Sequence, residues 1–220
     1  NYKEAIKEEW YYPLDTNSIM APQFFYNHFT NKETILIQDN NYNLIALNTS
    51  GEELWSKEIG DKIFGQINFI DAYKNNKFQA LFNTHEKLYL IDRNGDFVDG
   101  FPKELPTTTS MGHSLIDYDK NKQYRIIITG DDNNLYNLDK KGRNVTGWKY
   151  KKTNQRIKKI PIHFVVDNKD YILHATNNSL TKLLARNGTE RTKFKDNISF
   201  SSPVSITNKG VLYAITADYK

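Results

Sequence analysis

The sequence predicts an all-β chain: a β-propeller, partial or a fragment of one, built of four-stranded antiparallel blades. Three observations carry that expectation. The run Leu44-Ile45-Ala46-Leu47-Asn48-Thr49-Ser50-Gly51 returns as Leu88-Tyr89-Leu90-Ile91-Asp92-Arg93-Asn94-Gly95, as Leu135-Tyr136-Asn137-Leu138-Asp139-Lys140-Lys141-Gly142 and, degenerate, as Thr181-Lys182-Leu183-Leu184-Ala185-Arg186-Asn187-Gly188, its glycines 44, 47 and 46 residues apart. A period of that size marks an array of small supersecondary units. Each interval divides into short runs rich in β-branched and aromatic residues, bounded by Asn, Asp, Lys and Gly clusters, as strands joined by tight turns require. Helical periodicity is nearly absent. Such units, arranged radially, bury both faces of every sheet. A linear β-solenoid is the rival, but its coils are usually shorter.

Taken in order, residues 1–21 read as the last strand of a preceding blade, because Trp10 stands 45 residues before Trp55 in a similar context. Residues 3–9 are the alternative, a turn of helix too short to be stable alone. The first full blade, 22–60, has strands Phe24 to Phe29, Thr34 to Gln38, Asn43 to Asn48 and Glu53 to Ile59. The second, 65–106, has Ile67 to Ile70, Phe78 to Asn83, Leu88 to Asp92 and Phe97 to Phe101. The third, 112–152, has Ser114 to Asp117, Tyr124 to Thr129, Leu135 to Asp139 and Val145 to Tyr150. The fourth, 160–196, has Ile162 to Val166, Tyr171 to Ala175, Thr181 to Ala185 and Glu190 to Phe194. An incomplete blade, 197–220, offers Phe200 to Ile206 and Val211 to Thr216. The recurring glycine belongs in the hairpin between third and fourth strands, where a short loop needs positive φ. Trp55, Phe101 and Trp148 follow it as bulky wedges between neighbouring sheets.

Composition sets the bounds. With 220 residues, 38% hydrophobic and 13% aromatic, the chain can build a packed core. A net charge of +4 within 25% charged residues is what an ordinary soluble surface carries. The absence of cysteine removes disulfides, thiolate metal sites and cysteine nucleophiles, and leaves the compartment open. There is no run of about 18 apolar residues of the kind that spans a bilayer as a helix. The chain opens on Asn1 without a charged-then-apolar leader, so a signal, lipid anchor or further domain upstream is an open expectation.

The stretch Ala46 to Trp55 resembles the tryptophan-docking repeat of quinoprotein-like propellers, in which an alanine, an aspartate, a glycine and a tryptophan stand in register. It is one residue shorter between alanine and glycine, has Asn48 in place of the aspartate, and matches well only in the first blade. Asn27-His28-Phe29-Thr30, Gln38-Asp39, Leu90 to Gly95, Phe101-Pro102 and Asp117-Tyr118-Asp119-Lys120 are similar to an uncharacterised group of exported bacterial propeller proteins. That resemblance implies a longer parent protein and an extracytoplasmic home, in the periplasm or cell envelope, and assigns no catalytic residue.

Candidate sites are few. Asp117, Asp119 and Asn121 have the alternate spacing that opens a calcium loop, but Lys122 stands where the turn glycine belongs, so a polar hairpin is the expectation. His28, His85, His113, His163 and His174 form no zinc spacing. His113 and His163 fall near the start of first strands and, with Gln66, are the candidate small-ligand set at one mouth of the channel. Lys149, Lys151, Lys152, Arg156, Lys158 and Lys159 crowd the link between third and fourth blades, a candidate for phosphates, lipid head groups or an acidic partner. No serine elbow, phosphate loop or nucleic-acid motif is present.

These residues lead to a non-catalytic protein-interaction scaffold, a propeller subunit of a bacterial cell-envelope assembly with a protein partner, set beside a membrane-associated complex, with no nucleic acid, cofactor, metal or small-molecule substrate assigned. Two alternatives stand beside it: a quinone-dependent or carbohydrate-acting propeller enzyme, and a polyanion-binding module working through Lys149 to Lys159.

Overall fold

Strand periodicity in this chain is double: neighbouring residues on one strand are both apolar, so each sheet must bury both faces. The computed structural model describes residues 8–176, 181–193, 205–207 and 211–213. It shows an all-β chain of sheets in chain order. The first blade is β1 (Gln23–Asn27), β2 (Lys32–Gln38), β3 (Asn43–Asn48) and β4 (Glu53–Glu58), each antiparallel to the next. The second is β5 (Phe64–Ile70), β6 (Gln79–Asn83), β7 (Lys87–Ile91) and β8 (Lys103–Glu104). The third is β9 (Ser114–Ile116), β10 (Arg125–Thr129) and β11 (Leu135–Asp139), in the order β11-β10-β9. The fourth is β12 (Ile162–Val166), β13 (Lys169–Ala175), β14 (Thr181–Leu184) and β15 (Glu190–Lys193). A last hairpin pairs β16 (Ser205–Ile206) with β17 (Leu212–Tyr213), so the rest of the expected fifth blade, with Phe194 of the fourth, lies outside the described residues.

The core lies between blades. Leu36, Leu44 and Ala46 of the first blade meet Ile67, Ala80, Phe82, Tyr89 and Ile91 of the second. The alternate residues Leu81, Leu88 and Leu90 point the other way and meet Ile126, Ile128 and Leu138 of the third. Ile127 then turns to Ile172 and Leu184 of the fourth. One strand thus feeds two cores. The outer face of the first blade, Ile37, Ile45 and Leu47, is covered by Trp10, Tyr12 and Leu14. Residues 8–21 form no strand; among them only Ser18 bridges, to Asp39.

First strands gather on a common axis. The carboxamide of Gln23 on β1 accepts from the Ile67 amide at 2.7 Å and donates to the Gly65 carbonyl at 3.3 Å, both on β5. At Gly112, just before β9, an added Cβ would lie 2.8 Å from Gly65 Cα. The Ser114 hydroxyl donates to the Pro161 carbonyl, joining β9 to the start of β12.

Two expected fourth strands differ. Phe97 to Phe101 makes only a bridge from Phe97 to Ile91 before a turn, with the two-residue β8 following; Val145 to Tyr150 forms no strand beyond the bridge of Asn144 to Leu138. The cause is local. Gly100 and Gly147 adopt φ of 80° and 83°, and the amides of Phe101 and Trp148 turn back on the carbonyls of Val98 and Val145 at 2.9 and 3.4 Å. A glycine at positive φ breaks the pleat that Glu53 to Glu58, lacking one, keeps intact.

Candidate functional site

Aromatic wedges join the blades. The Trp10 indole lies on Gly51 and donates to the Thr49 carbonyl at 3.0 Å; Trp55 lies on Gly95 and donates to the Arg93 carbonyl at 2.9 Å. Each tryptophan therefore grips the hairpin of the blade after its own. At the third junction Phe101 packs into the core, and the Lys103 stem covers Gly142 instead. Trp148 lies on Gly188 but sends its N–H back to the Leu135 carbonyl at 2.7 Å.

Trp55 thereby fixes the loop that carries Arg93, and this loop walls a groove of about 410 Å³ between first and second blades, with His28, Tyr73, Lys77 and Phe97. The Arg93 guanidinium lies over the Phe29 ring, 4.4 Å from its centroid, and the Lys57 ammonium sits 5.0 Å from that of Phe97. Phe29, Tyr73 and Phe97 are 71%, 59% and 37% exposed. None of them belongs to a binding motif in the sequence. Their signal is an aromatic set inside a turn of otherwise polar residues, as in Asn27 to Asn31 and Asp71 to Lys77.

Of the expected channel-mouth residues, the two histidines have separate partners. Gln66 is exposed on β5. His113 is buried, with Nδ1 3.1 Å from Asn83 Oδ1, and burial lowers its pKa to about 4, so it is neutral at pH 7. His163 instead joins a polar chain between third and fourth blades. Its Nε2 lies 2.7 Å from Asp170 Oδ1, Asp170 Oδ2 accepts from Arg186 Nε, and Arg186 Nη1 donates to Asp119 at 2.8 Å. Tyr118 closes the set, its ring edge-on to His163 at 5.1 Å and under the Arg186 guanidinium at 4.8 Å.

The cations of the link are divided. Lys149 and Lys151 line a cleft of about 320 Å³ with Lys182, which itself reaches Glu190 at 3.8 Å. Lys152 pairs with Asp132 at 3.2 Å, Arg156 and Lys158 are exposed, and Lys159 is half-buried. In the loop with calcium-like spacing, the Asp117 oxygens accept from the amides of Asn121 and Lys122 at 3.1 and 2.8 Å, the polar hairpin expected. Among the described residues no group of three acidic or imidazole side chains is placed to hold a metal ion.

No protein-family model matches the chain, and no curated protein matches it in sequence. Solved structures do. BBS1N in complex with ARL6DN superposes with a TM-score of 0.59 at 10% identity, over 90% of this chain and 66% of that one. BamB from Moraxella catarrhalis gives 0.57 at 17% identity, over 84% and 52%. The Neurospora crassa Pan2 WD40 domain gives 0.50 at 14% identity, over 83% and 57%. The chain thus spans about half to two thirds of the length of these neighbours, and what it shares with them is the β-propeller fold; in this chain the propeller is partial, and among the described residues the sheets do not close into a ring.

Proposed function

We propose that this chain is a non-catalytic protein-interaction scaffold, a quinoprotein-like propeller subunit of an exported, bacterial cell-envelope assembly. One observation carries the reading: the groove between first and second blades holds Tyr73 and Phe97 in the open, and Arg93 on its wall lies over the exposed ring of Phe29 beside it. Aromatic and arginine side chains on a fixed backbone lose little entropy on binding and supply most anchors of protein interfaces. The structural neighbour BBS1N was solved in complex with ARL6DN, which supports the use of this fold for a protein partner. The envelope setting rests on the resemblance carried by Asn27-His28-Phe29-Thr30 and Leu90 to Gly95.

A photo-crosslinking residue at position 73, in the full protein in its native bacterium, tests the reading. One discrete envelope protein is expected in the adduct, and its yield should fall about fivefold or more when Phe29→Ala and Arg93→Ala are combined. No adduct, or the same adducts from a probe at exposed Lys120, would overturn it.

A further inference from the structure

The third blade departs from its siblings at one buried position. Five residues before each hairpin glycine stand Ala46, Leu90, Asn137 and Leu183. All four are buried, at 0%, 1%, 2% and 9% exposure, and three are apolar. A carboxamide in an apolar slot needs hydrogen-bond partners to offset its lost hydration. Asn137 Oδ1 has none within the chain.

Asn137 lines a cleft of about 240 Å³ between third and fourth blades, with Tyr118, Gln123, Arg125, Trp148 and Arg186. The cleft exists because Val145 to Gly147 turn away where a fourth strand would have covered β11. A second buried polar atom, the Tyr118 hydroxyl, also lacks a partner. Burial, with the Asp170 carboxylate nearby, pushes that hydroxyl up to about 12, so it keeps its proton at neutral pH. Arg186 is fixed by Asp170 and Asp119, and Arg125 Nη1 is fixed on the carbonyls of Gln123 and Tyr124 at 3.3 and 3.1 Å. Each guanidinium carries five donor hydrogens, so donors remain for a ligand.

The cleft is therefore lined by Asn137 and Tyr118, whose buried Oδ1 and hydroxyl lack partners, and by guanidinium donors beside an indole wall; its two guanidinium charges are matched in number by Asp119 and Asp170, both paired with Arg186. Charge balance disfavours an ionic ligand. The set suits groups that donate and accept at once on a compact ring with apolar faces, which describes the hydroxyls of a sugar. We propose that this cleft binds one hexopyranose unit of a neutral saccharide, with Asn137 and Tyr118 hydrogen-bonding its hydroxyls, Arg125 donating at the rim and Trp148 covering the ring.

The protein would be titrated with methyl β-D-glucopyranoside, methyl β-D-galactopyranoside, methyl α-D-mannopyranoside and N-acetyl-D-glucosamine, followed by saturation-transfer NMR and indole fluorescence. Saturable binding of at least one sugar is expected, weakened about tenfold or more by Asn137→Leu, because a site built around a hydrogen bond loses discrimination with it. Leucine is what positions 90 and 183 already hold, so that variant keeps the blade's own packing. Arg125→Gln, which installs the residue found at the matching Gln79 of the second blade, should weaken binding about threefold or more. Absence of a saturable signal with all four sugars would mean that Asn137 holds only water, and would overturn the proposal. Binding untouched by Asn137→Leu would overturn it equally.

Discussion

Short polar side chains at the base of the turns decide how these hairpins close. Asn48 Oδ1 accepts from the amides of Ser50 and Glu52 at 2.9 and 3.0 Å. Asp92 Oδ1 does the same for Asn94 and Asp96 at 2.8 and 3.1 Å, and Asp139 Oδ1 for Lys141 and Arg143 at 2.8 and 3.1 Å. The asparagine at 48, a departure from the docking repeat in sequence, is therefore a change of group and not of task. Buried histidines act on stability instead. Burial lowers both His113 and His174 from 6.5 to about 4, with Lys182 adding to the effect at His174. Between those values the unfolded chain binds protons that the folded chain refuses, so stability declines as pH falls from 6.5 to 4, by up to roughly 3 kcal/mol per histidine. His113→Asn keeps a donor for Asn83 and removes one titration, so urea unfolding across that window should show a shallower decline; an unchanged slope would count against the assignment. Turn chemistry was legible in the sequence because it is local. The burial of His113 was not, since which face of a first strand looks into the core depends on its neighbours in space.

At the scale of elements, the coupling of blade to blade rests on the indole of one and the glycine bend of the next. Gly95 has φ of 85°, and an added Cβ there would lie 2.7 Å from Trp55 Cδ2. Gly95→Ala should thus cost about 2 to 3 kcal/mol, part from φ and part from the clash. Trp55→Ala should cost about 3 kcal/mol. Combined, they should cost less than their sum by about 1 to 2 kcal/mol, because the indole that clashes is gone. A double-mutant cycle by urea unfolding checks this, and strict additivity would refute the contact. The sequence placed the wedge on the fourth strand, and Trp55 on β4 agrees. It did not reveal that Gly100 and Gly147 would interrupt that strand in the second and third blades, since a glycine five residues after the hairpin glycine reads equally well as part of the strand. Both clefts of interest follow from those interruptions, lined by Phe97 to Asp99 in one and Val145 to Gly147 in the other.

Across the whole molecule the sheets share a crowded axis and separate outward, which is why the cores lie between blades and not within one central mass. Repeat length, strand order and two-faced burial were all legible, because a period of about 45 residues with apolar neighbours on each strand admits few other arrangements. The functional surfaces were not, because Phe29 meets Arg93, and His163 meets Arg186 through Asp170, only once separate repeats are brought together. Among the described residues the sheets do not close into a ring, and Phe24 and Tyr26 on the first blade and Val165 on the fourth stay 60%, 55% and 49% exposed. The crowded axis is also where the account is most exposed to test. At Gly112 a methyl group would meet the Gly65 backbone at 2.8 Å and the Phe64 carbonyl at 2.9 Å, whereas at Gly60, which has φ of 81°, it would meet nothing within 4 Å. The measurement is the urea midpoint of Gly112→Ala beside Gly60→Ala. Radial packing predicts a loss of about 3 kcal/mol for Gly112→Ala against about 1 kcal/mol of backbone strain for Gly60→Ala. A midpoint for Gly112→Ala equal to or above that of Gly60→Ala would contradict it.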